Sequence, residues 1–416
     1  MLHVGIDDTD SIEGMCTTYL GALLSKELEK FCKVENIRLL RLNPNIKWKT
    51  RGNASLNLVL NTKNPNLAKK TILQVVLKNS MMKDKNTNPG VVFYEGNSPE
   101  KFRGFYWRCI RDVVKIEDAE KLASENGLEV HKFNNGRGII GALAAIGNEL
   151  TDKTYELIAY RSKLNWGTER KVDSKSVIKM NAHTYPYTFN NIDPTLSKIL
   201  ITPHSPCPVL LGIRGENKWI LKHAFRDLII NETVNQMIIF ETNQGTDAHL
   251  HLVRHARDAK LYSSIILKGT VVKTPWIIEG GHVIFSIYDG NDNIDCAAYE
   301  PTKDFRWKVA RLRKGDFVKV YGSLKYFNNY TINLEKIEIL KLKKIYEEYN
   351  PLCRKCGKRM KSAGRNQKIR CKKCKTEEER KMKVLIQRRL ENKTYQVPPS
   401  AMRHLSKPLV RVGNIR

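Results

Sequence analysis

No apolar run in this chain is long enough to cross a bilayer. The longest, Ile139 to Ile146, falls far short of the ~20 residues a spanning helix needs. The first residues, Met1-Leu2-His3-Val4-Gly5, enter a strand-like pattern without a basic segment leading into a long hydrophobic one. No secretory signal is therefore expected, and the expected location is cytoplasmic. The chain also lacks a Gly-x-x-x-x-Gly-Lys-Ser/Thr loop and a Rossmann fingerprint, so a nucleotide site here would have to be of another kind. Acid is scarce: 43 Asp and Glu stand against 72 Lys and Arg, for a formal net charge of +29. Cysteine is not scarce, with nine residues, but its distribution argues against a disulfide framework. Four form two Cys-x-x-Cys pairs and the other five (Cys16, Cys32, Cys109, Cys207, Cys296) are scattered singly, as in a metal site kept in a reducing compartment.

What is present is enough for several folded units. At 416 residues and 41% hydrophobic content the chain exceeds one ordinary core, and three or four domains are expected. The positive charge is concentrated at one end. Residues 341–416 hold 24 Lys and Arg against 6 Asp and Glu. A block this basic, with a metal motif in its middle, points to a nucleic-acid phosphate backbone.

The pattern predicts a multi-domain α+β protein. Residues 1–115 alternate strands (His3–Ile6, Glu35–Leu42, Ala54–Leu60) with amphipathic helices (Met15–Phe31, Leu67–Leu77), an α/β unit. Residues 116–260 form a second α/β unit, with helices over Val113–Glu125 and Ile139–Leu150 and strands over Thr154–Tyr160, Pro208–Arg214 and Gln236–Thr242; interleaving of the two units is the alternative to a clean boundary. Residues 261–342 turn β-rich, with five strands and one helix, Phe305–Leu312, after the third. That is the order of an OB-fold barrel, with an SH3-like barrel as the competing all-β reading. Asp289-Gly290 and Asn328-Asn329 mark hairpin turns. Residues 343–416 hold the metal motif and a basic tail.

The sharpest motif is Cys353-x-x-Cys356 followed by Cys371-x-x-Cys374. Each pair offers two thiolates from one tight turn, and two such turns close a tetrahedral Zn²⁺ site that is structural because protein fills all four positions. Around it Lys355, Lys358, Arg359, Lys361, Arg365, Lys368, Arg370, Lys372, Lys373 and Lys375 would form a cationic knuckle. In the barrel segment Trp276, Phe285, Tyr288, Tyr299, Tyr321, Tyr326 and Tyr330 supply flat faces for unstacked bases, about half of them expected to be core, and Lys268, Lys273, Lys319 and Lys325 supply charge. Chemistry is expected at Gly5-Ile6-Asp7-Asp8-Thr9-Asp10-Ser11. Three carboxylates within four positions repel unless a cation or protonation relieves them. Asp7 and Asp8 would take Mg²⁺ together with nucleotide phosphates, and a phosphoryl- or nucleotidyl-transfer centre is the natural reading. The alternative is a solvated acidic loop capping the next helix. Thr17 and Thr18 weigh against it, since they put two hydroxyls at a helix N-terminus, where a phosphate is favoured. Asn43 to Asn53, with Lys49 and Arg51, has the composition of an anion or substrate clamp. His249 and His251 lack a third metal partner and read as a hydrogen-bonding loop, and the Pro-pinned loop Thr202 to Pro208 would line the same cleft.

Together these residues resemble the archaeal synthetases that attach agmatine to the wobble cytidine of isoleucine tRNA. The likeness rests on the acidic motif above, on Gly14-Met15-Cys16-Thr17-Thr18-Tyr19-Leu20, Trp48-Lys49-Thr50-Arg51-Gly52-Asn53, Gly141-Ala142-Leu143-Ala144-Ala145-Ile146-Gly147 and Thr242-Asn243-Gln244-Gly245-Thr246-Asp247, and on the barrel and four-cysteine ribbon. It spans essentially the whole chain. The Ser-Gly-Gly-x-Asp-Ser-like loop of the bacterial lysidine synthetases is absent. The resemblance implies four modules: a cytidine-kinase-like ATP-binding domain, a ferredoxin-like domain, an OB-fold and a zinc ribbon. It also implies ATP-dependent ligation of agmatine to C2 of the wobble cytidine in a CAU anticodon, through phosphorylation of the C2 oxygen, so that the tRNA reads AUA. Members cleave ATP towards AMP and pyrophosphate and phosphorylate one of their own threonines, by position Thr18. Asp7, Asp8, Asp10 and Thr18 are then the expected catalytic residues, with Thr17, Lys49 and Arg51 as phosphate contacts and ATP, Mg²⁺ and structural Zn²⁺ as cofactors. The residues that hold agmatine are not implied. Two rivals are a non-catalytic OB and zinc-ribbon RNA-binding protein, and a metal-dependent RNA phosphotransferase or nuclease.

Overall fold

In the computed structural model, residues 1–326, 328–362, 364 and 368–413 are described. The N-terminal half is built on one nine-stranded sheet. Its first part comprises β1 (Leu2–Asp7), α1 (Thr17–Leu28), β2 (Lys33–Arg41), β3 (Ala54–Asn61), α2 (Pro65–Asn79), β4 (Gly90–Glu95), α3 (Arg103–Arg111), α4 (Ile116–Glu125), β5 (Glu129–Lys132) and α5 (Ile139–Ile146). Its second part comprises β6 (Thr154–Arg161), α6 (Ser174–Thr184), β7 (Thr188–Phe189), the small hairpin of β8 (Ile192–Asp193) and β9 (Lys198–Ile199), β10 (Val209–Gly215), α7 (Lys218–Arg226) and β11 (Val234–Thr242). The sheet order is β5-β4-β1-β3-β2-β11-β6-β10-β7. The two expected units thus share one sheet, joined where β11 lies parallel to β2. Residues 116–146, counted with the second unit by sequence pattern, pack with the first: β5 pairs β4, and α5 shares an apolar cluster with Val92, Phe102, Tyr106 and Ala119.

Two local features explain where elements begin. The periodicity predicts helix from Met15, but Met15 has φ +61°, which ends any helix there, and α1 starts at Thr17. α5 lies directly on β1. A Cβ on Gly5 would overlap the Ala142 carbonyl oxygen, and one on Gly141 would overlap the Asp7 carboxylate. Only glycine lets this helix cover the acidic strand end so closely.

The barrel follows β12 (Leu250–Leu252), with β13 (Ser264–Ile278), β14 (His282–Tyr288), β15 (Asn293–Ala298), α8 (Asp304–Val309), β16 (Phe317–Tyr326) and β17 (Tyr330–Lys341). β13 pairs both β14 and β16, and β15 pairs β17 in parallel, which closes the barrel with α8 between the third and fourth strands. This is OB topology, and the SH3-like alternative is set aside. The ribbon is a three-stranded sheet (Lys361–Ser362, Ile369–Arg370, Glu377–Glu378). It is flanked by Tyr346–Tyr349 paired with Met382–Leu385. Beyond the ribbon the chain returns. Thr394–Gln396 pairs β17, and Arg411 reaches Asp152 and Glu216 of the nine-stranded body. No described helix is long and apolar enough to cross a membrane.

Candidate active site

A cleft of about 950 Å³ opens where the two parts of the large sheet meet, and Asp7, Asp8, Asp10, Thr17, Thr18, Lys49 and Arg51 all line it. β1 delivers the acidic wall. Asp8 accepts from Arg137 Nε at 3.0 Å and Nη2 at 2.7 Å, and itself sits at φ +60°, a left-handed conformation that aspartate tolerates better than most residues. Asp10 accepts from Arg51 Nη2 at 2.6 Å. Among the described residues Asp7 has no such ion pair; burial, and then the neighbouring Asp8, push its carboxyl well above the usual carboxylate range. Burial also raises Asp8 and Asp10, against the opposing pull of Arg137 and Arg51 respectively. A divalent cation with phosphate oxygens would relieve this crowding, so the donor set fits Mg²⁺ held by one or two carboxylates.

α1 presents its N-terminus beside these aspartates. Cys16 occupies the N-cap without a side-chain capping bond, which leaves the first-turn N–H groups without the usual N-cap acceptor. The Thr18 hydroxyl lies 3.0 Å from Cys16 Sγ, and Thr17 meets Thr9 at 3.1 Å. Lys49 donates to the Pro44 carbonyl, and burial followed by Arg403 lowers its pKa. Trp48 stands 59% exposed at the rim, open to an incoming planar group.

A second set of lining residues was not legible in the sequence. These are Arg41, Glu156, Arg214 and His404. The Thr242–Asp247 motif is their scaffold. Asn243 Oδ1 accepts from the Arg41 backbone N–H at 2.8 Å, and its Nδ2 donates to the Arg41 carbonyl at 2.9 Å, while Gln244 bridges Arg41 and Glu156. Beyond that motif, His249 is buried against Glu335 at 3.0 Å, as a hydrogen-bonding loop predicts, while His251 Nδ1 is buried without a partner among the described residues. Pro203, Ser205 and Cys207 of the Pro-pinned loop also line the cleft. Where the barrel meets the cleft, Lys47, Lys49, Lys325 and Arg403 crowd together. Burial, then repulsion from Arg403, Lys49 and Lys47, draws Lys325 down to about 8.

Residues 3–67 match the TiaS TCKD domain, 136–249 the TiaS FLD domain, 265–340 an OB-fold nucleic acid binding domain and 350–390 the TiaS C-terminal zinc ribbon domain. The isoleucine-tRNA 2-agmatinylcytidine synthetase TiaS of Archaeoglobus fulgidus is 44% identical over 412 residues, covering 99% of this chain and 97% of that one. The Pyrococcus horikoshii synthetase is 46% identical over 415 residues, with coverage of 99% and 97%. The chain belongs to the TiaS family of isoleucine-tRNA 2-agmatinylcytidine synthetases. Among solved structures, TiaS in complex with its isoleucine tRNA and ATP superposes with a TM-score of 0.90 at 43% identity, covering 100% of this chain and 98% of that one. TiaS in complex with the same tRNA, AMPCPP and agmatine gives 0.88 at 40%, with the same coverage.

The four cysteines of the ribbon come together here. The four Sγ atoms of Cys353, Cys356, Cys371 and Cys374 lie within 4.8 Å of one another, and Cys356 and Cys371 are 3.6 Å apart. A tetrahedron of ~2.3 Å Zn–S bonds has an edge of ~3.8 Å, so the thiols fit Zn²⁺. Of the predicted knuckle cations all are exposed except Arg365, which lies outside the described residues. On the barrel, Tyr288, Tyr326 and Tyr330 are exposed while Phe285 is core. Lys273 Nζ sits 3.9 Å from the Trp276 ring centroid.

The functional residues that sequence reasoning missed differ in how findable they were. Arg137 sits in a Gly-rich turn, Asn134 to Gly138, just before α5. Arg41 and Arg214 look like ordinary strand residues, and His404 has no local signal at all.

Proposed function

We propose that the chain joins agmatine to the wobble cytidine of isoleucine tRNA, driven by ATP, in the cleft between the two parts of the large sheet. The observation that carries this reading is the convergence of the acidic wall, the open helix N-terminus and the basic wall on one cavity, in a chain whose relatives bind these substrates. The C2 oxygen of cytosine is a poor leaving group. In the first step it attacks a phosphorus of ATP; the C2–O–P linkage forms, and the old P–O bond breaks with its electron pair leaving on the nucleotide. In the second step the primary amine of agmatine attacks C2 and loses a proton, and phosphate departs with the C–O electron pair. Binding and orientation of the anions supply most of the catalysis in such phosphoryl transfers.

Asp7 and Asp8 would hold Mg²⁺, which neutralises phosphate charge when bound, and Asp10 fixes Arg51 beside them. The first turn of α1, with Thr17 and Thr18, receives a phosphate; Thr18 is the phosphate-contacting or phosphorylated hydroxyl. Lys49 and the remaining donors of Arg51 face the same anion. The wobble base must leave its stack to reach these groups, so the barrel, the basic junction around Lys325 and the ribbon grip the tRNA while it does. In this division of labour the nine-stranded body, with the returning segment that carries His404, does the chemistry, and the barrel and ribbon bind RNA. None of the nine cysteines is in a disulfide, in keeping with the cytoplasmic location we infer.

The test is to incubate the protein with unmodified isoleucine tRNA bearing a CAU anticodon, ATP, Mg²⁺ and agmatine, then identify the nucleosides by mass spectrometry, omitting each component in turn. An agmatine adduct on cytidine that requires every component is expected. Tight tRNA binding without the adduct would favour the non-catalytic binder, and ATP turnover indifferent to agmatine would favour an RNA phosphotransferase.

A further inference from the structure

The chain runs from barrel to ribbon and then back to the cleft, and the returning segment places an imidazole in the basic wall. The segment is held by its backbone. Gly245 N–H donates to the His404 carbonyl at 2.8 Å, Asp247 N–H donates to the Leu405 carbonyl at 2.8 Å, and the Asp247 carboxylate accepts from Lys407 N–H at 2.6 Å. Arg411 anchors the end on Asp152 and Glu216. This is a built platform, and the ring it carries faces specific partners.

Arg214 Nη2 lies 2.8 Å from His404 Nδ1. A guanidinium only donates, so Nδ1 must be the unprotonated acceptor. Enclosure, then Arg41, Arg214 and Lys49, hold the imidazole well below its ordinary pKa, which keeps that acceptor available at neutral pH. On the other edge, a Cβ added to Gly52 would sit 3.2 Å from both Nε2 and Cδ2, so the ring is wedged against the Lys49–Asn53 loop. Arg214 is held a second time by Glu156, which accepts from Nε at 3.1 Å. Among the described residues these two bonds use two of the five donors of Arg214, on a side chain that lines the cleft.

We propose that His404 is a positioning residue: as a neutral acceptor it fixes Arg214, together with Glu156, so that the free donors of that guanidinium meet the anion formed in the cleft. This rests on the assignment of the ATP-dependent reaction to the cleft. It makes the segment after the ribbon part of the catalytic body.

The test compares His404→Ala, His404→Asn and His404→Gln in the full chain, reading the single-turnover rate of adduct formation at saturating tRNA, with tRNA affinity and Tm as controls. His404→Ala is expected to slow adduct formation about tenfold or more, with tRNA affinity within about twofold. Asn can place an acceptor where Nδ1 stood and should recover to within about threefold of the parent; Gln reaches the Nε2 position and should not. In an Arg214→Ala background, His404→Ala should have no further effect. Equal loss in the Asn and Ala variants, an unchanged rate in His404→Ala, or a full additional loss in the Arg214→Ala background would overturn the proposal. An inactive parent protein would instead overturn the assignment of the reaction. ¹⁵N NMR of the selectively labelled imidazole then still decides on His404: Nδ1 unprotonated at pH 6 is expected, and a protonated Nδ1 contradicts the role.

Discussion

The ribbon and the cleft are both clusters of groups that cannot stay together unaided, yet they are assembled in opposite ways. The ribbon's four thiols come from 22 consecutive residues, 353–374, and its core is little more than Cys353, Met360, Ile369 and Cys371. The metal takes the place of a hydrophobic core. The cleft draws its groups from positions between Asp7 and His404, and a large sheet with extensive packing on its strands holds the carboxylates close. A site closed by a metal can be local; a site whose charges must wait for substrate needs a rigid body around it.

The sharpest way to break this contrast is at the acidic wall. Asp8→Ala is expected to reduce adduct formation by about a thousandfold or more, read by quenched single-turnover assays, while tRNA affinity stays within about threefold. Less damage to catalysis is expected from the ribbon. Cys371→Ser should unfold that module alone, weaken tRNA binding roughly 10- to 100-fold by filter binding, and leave the main thermal transition in place. Gly141→Ala should cost the body about 1–3 kcal/mol in denaturant unfolding, because its methyl would collide with the Asp7 carboxylate.

Two smaller effects depend on pH. Asp7 has a folded pKa raised above its unfolded value by burial and Asp8, so the folded state binds the extra proton and the metal-free protein loses stability as pH rises from the unfolded value through the folded one. Asp7→Asn removes that loss; it should raise Tm at neutral pH by roughly 2–4 °C in the absence of Mg²⁺ while ending activity. Lys325, near 8, should become more basic against a phosphate, so tRNA affinity should fall roughly fivefold between pH 8 and 9, and Lys325→Gln should flatten that slope.

The same contrast explains what could be read in advance. The barrel's strands, the ribbon and the residues of the acidic wall were legible because each signal is short-range: alternation, Cys-x-x-Cys spacing, or carboxylates crowded at a strand end. The sharing of one sheet by both N-terminal units was not, because the parallel pairing of β11 with β2 joins residues about two hundred positions apart. Nor was the role of Asn243 and Gln244, which clamp Arg41 across the same junction. The helix boundary at Thr17 turned on one left-handed residue, Met15, that periodicity could not reveal.

The central claim is that the cleft performs the chemistry and the ribbon grips the tRNA. The most direct test is to measure the single-turnover rate of adduct formation against tRNA concentration for Asp8→Ala and Cys371→Ser. Saturating tRNA should carry Cys371→Ser back towards the parent rate and leave Asp8→Ala inactive. A Cys371→Ser enzyme that stays slow at saturation, or an Asp8→Ala enzyme that recovers, would contradict that division.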